Sequence, residues 1–287
     1  MADPNWYITG NPEVSTELVM HRDSAGEMVI ASHDNRFPAA DPKSPIEIAR
    51  GSVSGAESFS SYGELTTSGA VTDHVIWPVT GTANLAVPSS SGIQITVVSD
   101  SADDADGGTG IRSVRIIYLD GSLNEQTETI TLNGTTPVTT QATNVRFIQC
   151  MHMLTYGSQK QAAGNISATH DGTTYSYIKS GQRRCSSSLR RVPNGKICIV
   201  RSVYGSSISG TSDARAQIRF VATYLDGEDF TEDAITFPHQ SIGVQDGAES
   251  SSNLAMSFPE GVVIGFEVTC DKSATINAGF MGHIENG

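Results

Sequence analysis

Two stretches, Arg115-Ile-Ile-Tyr-Leu-Asp-Gly121 and Phe220-Val-Ala-Thr-Tyr-Leu-Asp-Gly227, decide how this chain reads. Each is an apolar run of strand character that ends in Tyr-Leu-Asp-Gly. An Asp-Gly step suits a tight hairpin connection, because glycine tolerates positive φ and the aspartate carboxylate bonds nearby amides. Beyond each turn comes an acidic, threonine-bearing stretch and a similar strand end, Ile130-Thr-Leu132 in one copy and Ile235-Thr-Phe237 in the other. Two more pairs follow the same order. Pro193-Asn-Gly195 and Pro259-Glu-Gly261 each launch an apolar run, and Ala163-Gly164 and Ala278-Gly279 each precede one. Asp-Gly hairpins recur by chance in β proteins, but the aligned flanks favour an internal duplication.

Further strand candidates spread outward from these two. They are Ile93–Val98, Thr127–Leu132, Val145–Leu154, Lys196–Val203, Glu232–Phe237, Val262–Thr269 and Ala278–Ile284. In the second of these, Thr127, Thr129 and Thr131 share one face and Glu128, Ile130 and Leu132 the other. Gly, Asn, Asp and Ser clusters separate the runs at short intervals, and no helical period is sustained. Such spacing predicts an all-β fold. The expected architecture is two related, jelly-roll-like β-sandwich domains, residues 51–172 and 173–287, behind an extended N-terminal arm, residues 1–50.

The arm carries Pro4, Pro12, Pro38, Pro42 and Pro45, which fix φ and remove backbone donors. Within it Val14–His21 and Glu27–Ala31 read as a small hairpin across Asp23-Ser-Ala-Gly26, and residues 42–50 as a short helix with Ile46 and Ile48 apolar. A proline-bearing arm with little core of its own gains stability by lying on a neighbouring surface.

Composition narrows the function classes. The 287 residues hold 18 Lys+Arg against 31 Asp+Glu, a formal charge of −13. That balance argues against nucleic-acid binding, which needs a basic face. No run approaches the roughly 20 apolar residues of a spanning helix, and the first residues lack the basic-then-apolar pattern of a signal peptide. Synthesis and folding in a cytosol are the expectation. Cys150, Cys185, Cys198 and Cys270 are scattered without a CxxC pair, so buried thiols are expected, with a Cys150–Cys198 bridge as an open alternative.

Candidate chemistry is sparse. Asp100-Ser-Ala-Asp-Asp-Ala-Asp-Gly-Gly108 gathers four carboxylates on a glycine-rich loop; calcium is the minority reading and a turn-building acidic loop the majority one. The seven histidines, including His74 beside Asp73, show no metal or catalytic spacing. No nucleophile elbow or phosphate loop occurs. The expectation is a non-enzymatic protein with no cofactor and no metal site. The one basic segment holds Lys179, Arg183, Arg184, Arg190, Arg191 and Lys196. Its arginine forks suit docking onto an acidic surface, a second copy of the chain included; ordinary solvated charge is the equal alternative. Trp6 and Trp77 are the only tryptophans; Tyr175, Tyr177 and Tyr204 are the candidates for a carbohydrate platform, with cross-strand core or interface packing the favoured reading.

The stretch Ser101-Ala-Asp-Asp-Ala-Asp-Gly-Gly-Thr-Gly-Ile-Arg-Ser-Val114, with Tyr118–Gly121 and Glu128–Thr140, resembles a block of virion structural proteins of tailed bacteriophages, of the marine and cyanobacterial type. Ser180-Gly-Gln182 followed by Val192-Pro-Asn-Gly-Lys196 is similar to a second block. The resemblance spans roughly residues 99–200. Arg183-Arg-Cys185 and Leu189-Arg-Arg191 depart from it, standing where small, apolar or aromatic residues are usual. It implies a particle component without catalytic residues, a capsid decoration, head-fibre or tail protein that acts by subunit adhesion as a homo-oligomer. Its partners would be other virion proteins and itself, with no nucleic acid and no membrane. The alternative is a receptor-binding tail protein that recognises a host-surface glycan. Trp6, Trp77, Arg183, Arg184, Arg190 and Arg191 are the expected interface residues.

Overall fold

A computed structural model describes residues 20–22, 28–30, 48–77, 86–209, 215–223, 235–236, 242–245 and 249–287. Almost all the regular structure among them is β-strand, as the sequence predicts. Contacts divide the chain into two units, Met1–Val53 and Ser54–Gly287. In the first, β1 (Met20–Arg22) pairs antiparallel with β2 (Met28–Ile30), overlapping the runs expected to form a hairpin. Residues 48 and 49 are helical, and Gly51 N–H closes the turn on Ile48 O at 2.9 Å. The prolines of the arm and Trp6 lie outside the described residues.

Among the described residues, the larger unit holds four antiparallel sheets. β5 (Thr96–Ser99) is flanked by β8 (Val138–Thr139) and β10 (Ile166–His170), with β11 (Thr173–Ile178) at the edge. β6 (Ile111–Asp120) stands between β7 (Glu125–Thr131) and β9 (Val145–Tyr156). The C-terminal half follows the same plan. β13 (Lys196–Ser209) is flanked by β17 (Glu249–Phe258) and β19 (Ala274–Asn286), with β3 (Glu57–Thr66) at the edge. β14 (Arg215–Thr223) stands between β15 (Ile235–Thr236) and β18 (Val263–Cys270). β16 (Ile242–Gln245) also pairs β14, while β4 (Val71–Val75) and β12 (Arg190–Arg191) add to β18. The two copies of the Tyr-Leu-Asp-Gly stretch thus supply, or lead directly out of, the central strands of corresponding sheets.

Sheet membership departs from the expected boundaries at both ends. β3 pairs with β19 from Thr66↔Thr275 to Glu57↔Ile284, and β4 pairs with β18. Residues 57–75 therefore complete the C-terminal sheets rather than opening the first sandwich. The cut between 172 and 173 falls inside the β10–β11 hairpin, whose turn is Asp171 (φ 46°) and Gly172 (φ 78°). A Ser- and Gly-rich strand such as β3 carries a weak apolar signal, yet Ser61, Gly63 and Leu65 alternate inward and are buried.

Each pair of sheets closes over its own core. Ile95, Val97, Val114, Ile116, Met151, Ile166 and Ile178 fill one. The other centres on Phe220, whose ring lies 5.1 Å from Phe266 and 5.6 Å from Phe280 by centroid. Tilted and edge-on aromatic contacts of this kind add about 0.5–1.5 kcal/mol each beyond burial. A third cluster joins the two pairs: Leu119 and Phe147 from β6 and β9 meet Val221 and Val263 from β14 and β18, around Val75, Trp77 and Leu189.

The first Asp-Gly turn works differently from expectation. Asp120 Oδ1 accepts the N–H groups of Ser122 at 2.9 Å and Asn124 at 3.0 Å, as a turn aspartate should. The left-handed residue is Leu123 (φ 63°), however, and not Gly121. Gly195 (φ 66°) and Gly261 (φ 81°) do use glycine's freedom in the two Pro-x-Gly turns.

Candidate interaction face

Residues 183–192 run across three sheets in turn. Arg183 O accepts Met153 N–H at 2.8 Å, and Cys185 N–H donates to Met151 O at 2.8 Å, which ties the segment to β9. Ser186 O then accepts Glu64 N–H at 3.1 Å on β3, and Ser188 N–H donates to Ile76 O at 3.0 Å. Arg190 and Arg191 finally pair with Ile264 and Val263 on β18. The connector is thus bonded to both pairs of sheets.

This path splits the expected basic patch. Arg191 is buried, and its Nε donates to Gly261 O at 3.1 Å. Its N–H donates to Gln149 Oε1 at 3.1 Å. The Arg190 guanidinium stacks over the Phe59 ring, 4.5 Å from its centroid, and lies 3.7 Å from Glu125 Oε2. Burial pulls the Arg190 pKa down, with Glu125 the chief opposing influence. These two arginines bind sheet to sheet within the chain and are not a free docking surface. Trp77, 2% exposed, is likewise part of the internal junction.

Arg183 and Arg184 stay exposed. Arg184 is bridged to His152, His152 is paired with Arg115, and Arg115 with Thr129. Directly opposed residues of an antiparallel sheet share a face, so Arg115, His152 and Arg184 form one cross-strand row. Two strand spacings put the arginines about 10 Å apart. Burial, then Arg115, then Arg184 lower the His152 pKa, so the histidine is neutral between two guanidiniums at neutral pH. The sequence hid this row because Arg115 and His152 belong to different strands; register alone aligns them.

The row borders a second surface. On the outer side of the β17-β13-β19-β3 sheet, Tyr62 Oη donates to Asn277 Oδ1 at 2.6 Å. Tyr62 is raised in pKa by burial first, then by Glu64 and Tyr204; Tyr204 is raised by burial and pulled back by Arg184. Tyr62, Tyr204 and Arg184 are therefore electrostatic neighbours. Exposed Met281 and Ile208 lie on the β19 and β13 strands of the same sheet, and exposed Leu154 and Tyr156 end β9. Of the three tyrosines considered for a platform, Tyr175 and Tyr177 pack against separate clusters. Chemically, the face offers bidentate guanidinium donors beside aromatic and apolar surface, a combination suited to carboxylates on an apolar partner.

The acidic loop is turn-building. Asp104 is fully buried, and its carboxylate accepts N–H groups from Ile111 (2.7 Å), Ala163 (3.0 Å) and Gly164 (2.9 Å) and the Ser99 hydroxyl (2.7 Å). Asp100 accepts Asn165 N–H and Nδ2, each at 2.7 Å. Among the described residues no group of three His, Cys, Asp or Glu is placed to hold a metal ion, and no helix is long and apolar enough to cross a membrane. Cys150 has Cys185, not Cys198, at sulfur contact distance, 3.6 Å.

No known family profile matches the chain. No curated protein matches it either. Among solved structures, the infectious bursal disease virus Gt strain structure is similar over 81% of this chain and 72% of that one, at 11% identity and a TM-score of 0.23. A T=1 particle of a mutant VP2 protein from the same virus is similar over 81% and 69%, at 12% identity and the same TM-score, 0.23.

Proposed function

We propose that the protein is a non-enzymatic structural component of a tailed-phage virion, an accessory protein of the outer head or tail that acts by adhesion to its neighbours. The observation that carries this reading is the division of the basic segment. Arg190 and Arg191 are consumed in holding the sheets together, whereas Arg184 is presented beside Arg115, Tyr204 and Tyr62 on exposed sheet surface. In a chain of net charge −13, such a row attracts acidic surface, including that of other copies. The resemblance of residues 99–200 to phage virion proteins supports the setting. The test is particle occupancy. Arg115→Glu/Arg184→Glu should keep the wild-type melting temperature and yet load poorly onto particles; loading at wild-type occupancy overturns the reading.

The neighbouring Tyr62 and Tyr204 support one alternative, recognition of a host-surface glycan. Glycan-array binding by the intact chain that disappears in Tyr204→Ala would favour it. Normal host adsorption by particles lacking the protein would dismiss it.

A further inference from the structure

Two cysteines that are 35 positions apart meet where the connector crosses β9. Their sulfurs lie 3.6 Å apart, and both are free thiols. The backbone around them is already tied: Cys185 N–H donates to Met151 O at 2.8 Å, and Met151 N–H donates to the Cys185 sulfur at 3.3 Å. Cys185 is buried, and Cys150 is partly buried. A disulfide bond is about 2.05 Å long, so the sulfurs have about 1.5 Å to close. Side-chain rotation supplies a shift of that size without moving a strand.

We propose that Cys150 and Cys185 form an oxidative cross-linking site, whose disulfide locks the connector 183–192 onto β9. The proposal does not depend on a virion setting. The oxidant is a peroxide, small enough to reach a half-buried thiol. The hydrogen bond to Cys185 and burial hold Cys150 protonated at rest. Cys150, the more accessible sulfur, gives its proton to the Cys185 thiolate as it attacks one peroxide oxygen; the S–O bond forms, the O–O bond breaks, and the departing hydroxide takes that proton back from Cys185 and leaves as water. The Cys185 thiolate then attacks the Cys150 sulfur; the S–S bond forms, the S–O bond breaks, and the hydroxide leaves as a second water with the Cys185 proton. Two thiols lose two electrons to one peroxide. Hydrogen bonding with the Cys150 thiol and with Met151 N–H, and the nearby Arg184 charge, favour the thiolate at Cys185 against the cost of burial. That is the polarity the second step needs.

The experiment treats the intact chain with hydrogen peroxide, blocks remaining thiols with an alkylating reagent, and maps peptides without reduction. The expected result is loss of two of the four thiols, with one cross-linked peptide pair carrying Cys150 and Cys185, reversed by dithiothreitol. Closing this loop should raise the melting temperature by on the order of 5–10 °C. Cys198→Ser/Cys270→Ser should still lose two thiols, and Cys185→Ser should form no intrachain link. Retention of all four thiols, or a bridge involving Cys198 or Cys270, overturns the proposal. So does a bridge between chains in place of the internal one.

Discussion

Gly164 N–H donates to the Asp104 carboxylate at 2.9 Å across 60 positions of sequence. The same carboxylate gathers the strand entry at Ile111, the Ser99 hydroxyl and the Ala163 amide, so the acidic loop, whose majority reading is turn-building, is an internal clasp. Asp104→Ala leaves buried donors unsatisfied and should cost about 3–5 kcal/mol. Asp104→Asn keeps one acceptor but turns an amide toward N–H groups, and should cost about 2–3 kcal/mol. Urea unfolding of the two variants checks both values and their order.

Gly63 lies where β3 approaches the connector. A Cβ there would stand 2.5 Å from Ile76 O and 2.7 Å from Ser188 N, both backbone atoms. Gly63→Ala should therefore destabilise by about 2–3 kcal/mol through overpacking. A calorimetric melting temperature equal to wild type would show that β3 does not press on Ser188 as described.

Arg190 is held by its flat face. Arg190→Lys keeps the charge and loses the stacked plane over Phe59, with an expected loss of about 1 kcal/mol; Arg190→Ala should lose about 2 kcal/mol. Equal losses for the two variants would assign the contribution to the side-chain stem or the Glu125 pair rather than to stacking.

Glu267 gives a pH dependence. Its pKa is pushed up to about 7, mainly by burial, with Arg219 opposing. Folded protein then holds the proton more tightly than unfolded chain, so this contribution is fully present below the ordinary carboxylate pKa and is lost as pH rises through about 7. The melting temperature should fall between about pH 5 and pH 8, and Glu267→Gln should flatten that slope. Differential scanning fluorimetry across the range checks the sign.

The N-terminal unit yields a functional test. Removing residues 1–48 should abolish particle incorporation while the 54–287 unit stays folded and soluble. Circular dichroism reports the second outcome, and occupancy of purified particles the first; wild-type loading would refute a role for the arm in attachment.

Strands were legible wherever apolar periodicity was strong. Val145–Leu154 and Val262–Thr269 were bounded to within a few residues of β9 and β18. β3 and β17 were missed, since Glu57-Ser-Phe-Ser-Ser-Tyr-Gly and Glu249-Ser-Ser-Ser-Asn alternate too little apolar character to register. Partner choice was missed for a related reason. Whether β3 pairs forward with its neighbours or closes a sheet with β19 is a matter of long-range register, which local propensity does not encode. Arg183, Arg184, Arg190 and Arg191 were found as one cluster, but sequence proximity could not separate the two that stack and anchor from the two that face solvent.

By itself the sequence determined the all-β class, because short alternating runs between turn residues admit no other regular structure. It also determined that a motif recurs in the two halves. Only the tertiary structure decided which strands share a sheet, that Trp77 seals a junction, that Arg115 and Arg184 line up through His152, and that Cys185 meets Cys150. The reason is range. Turn and strand propensities act over a few residues, whereas burial, register and sulfur contact depend on partners that folding brings in from distant parts of the chain.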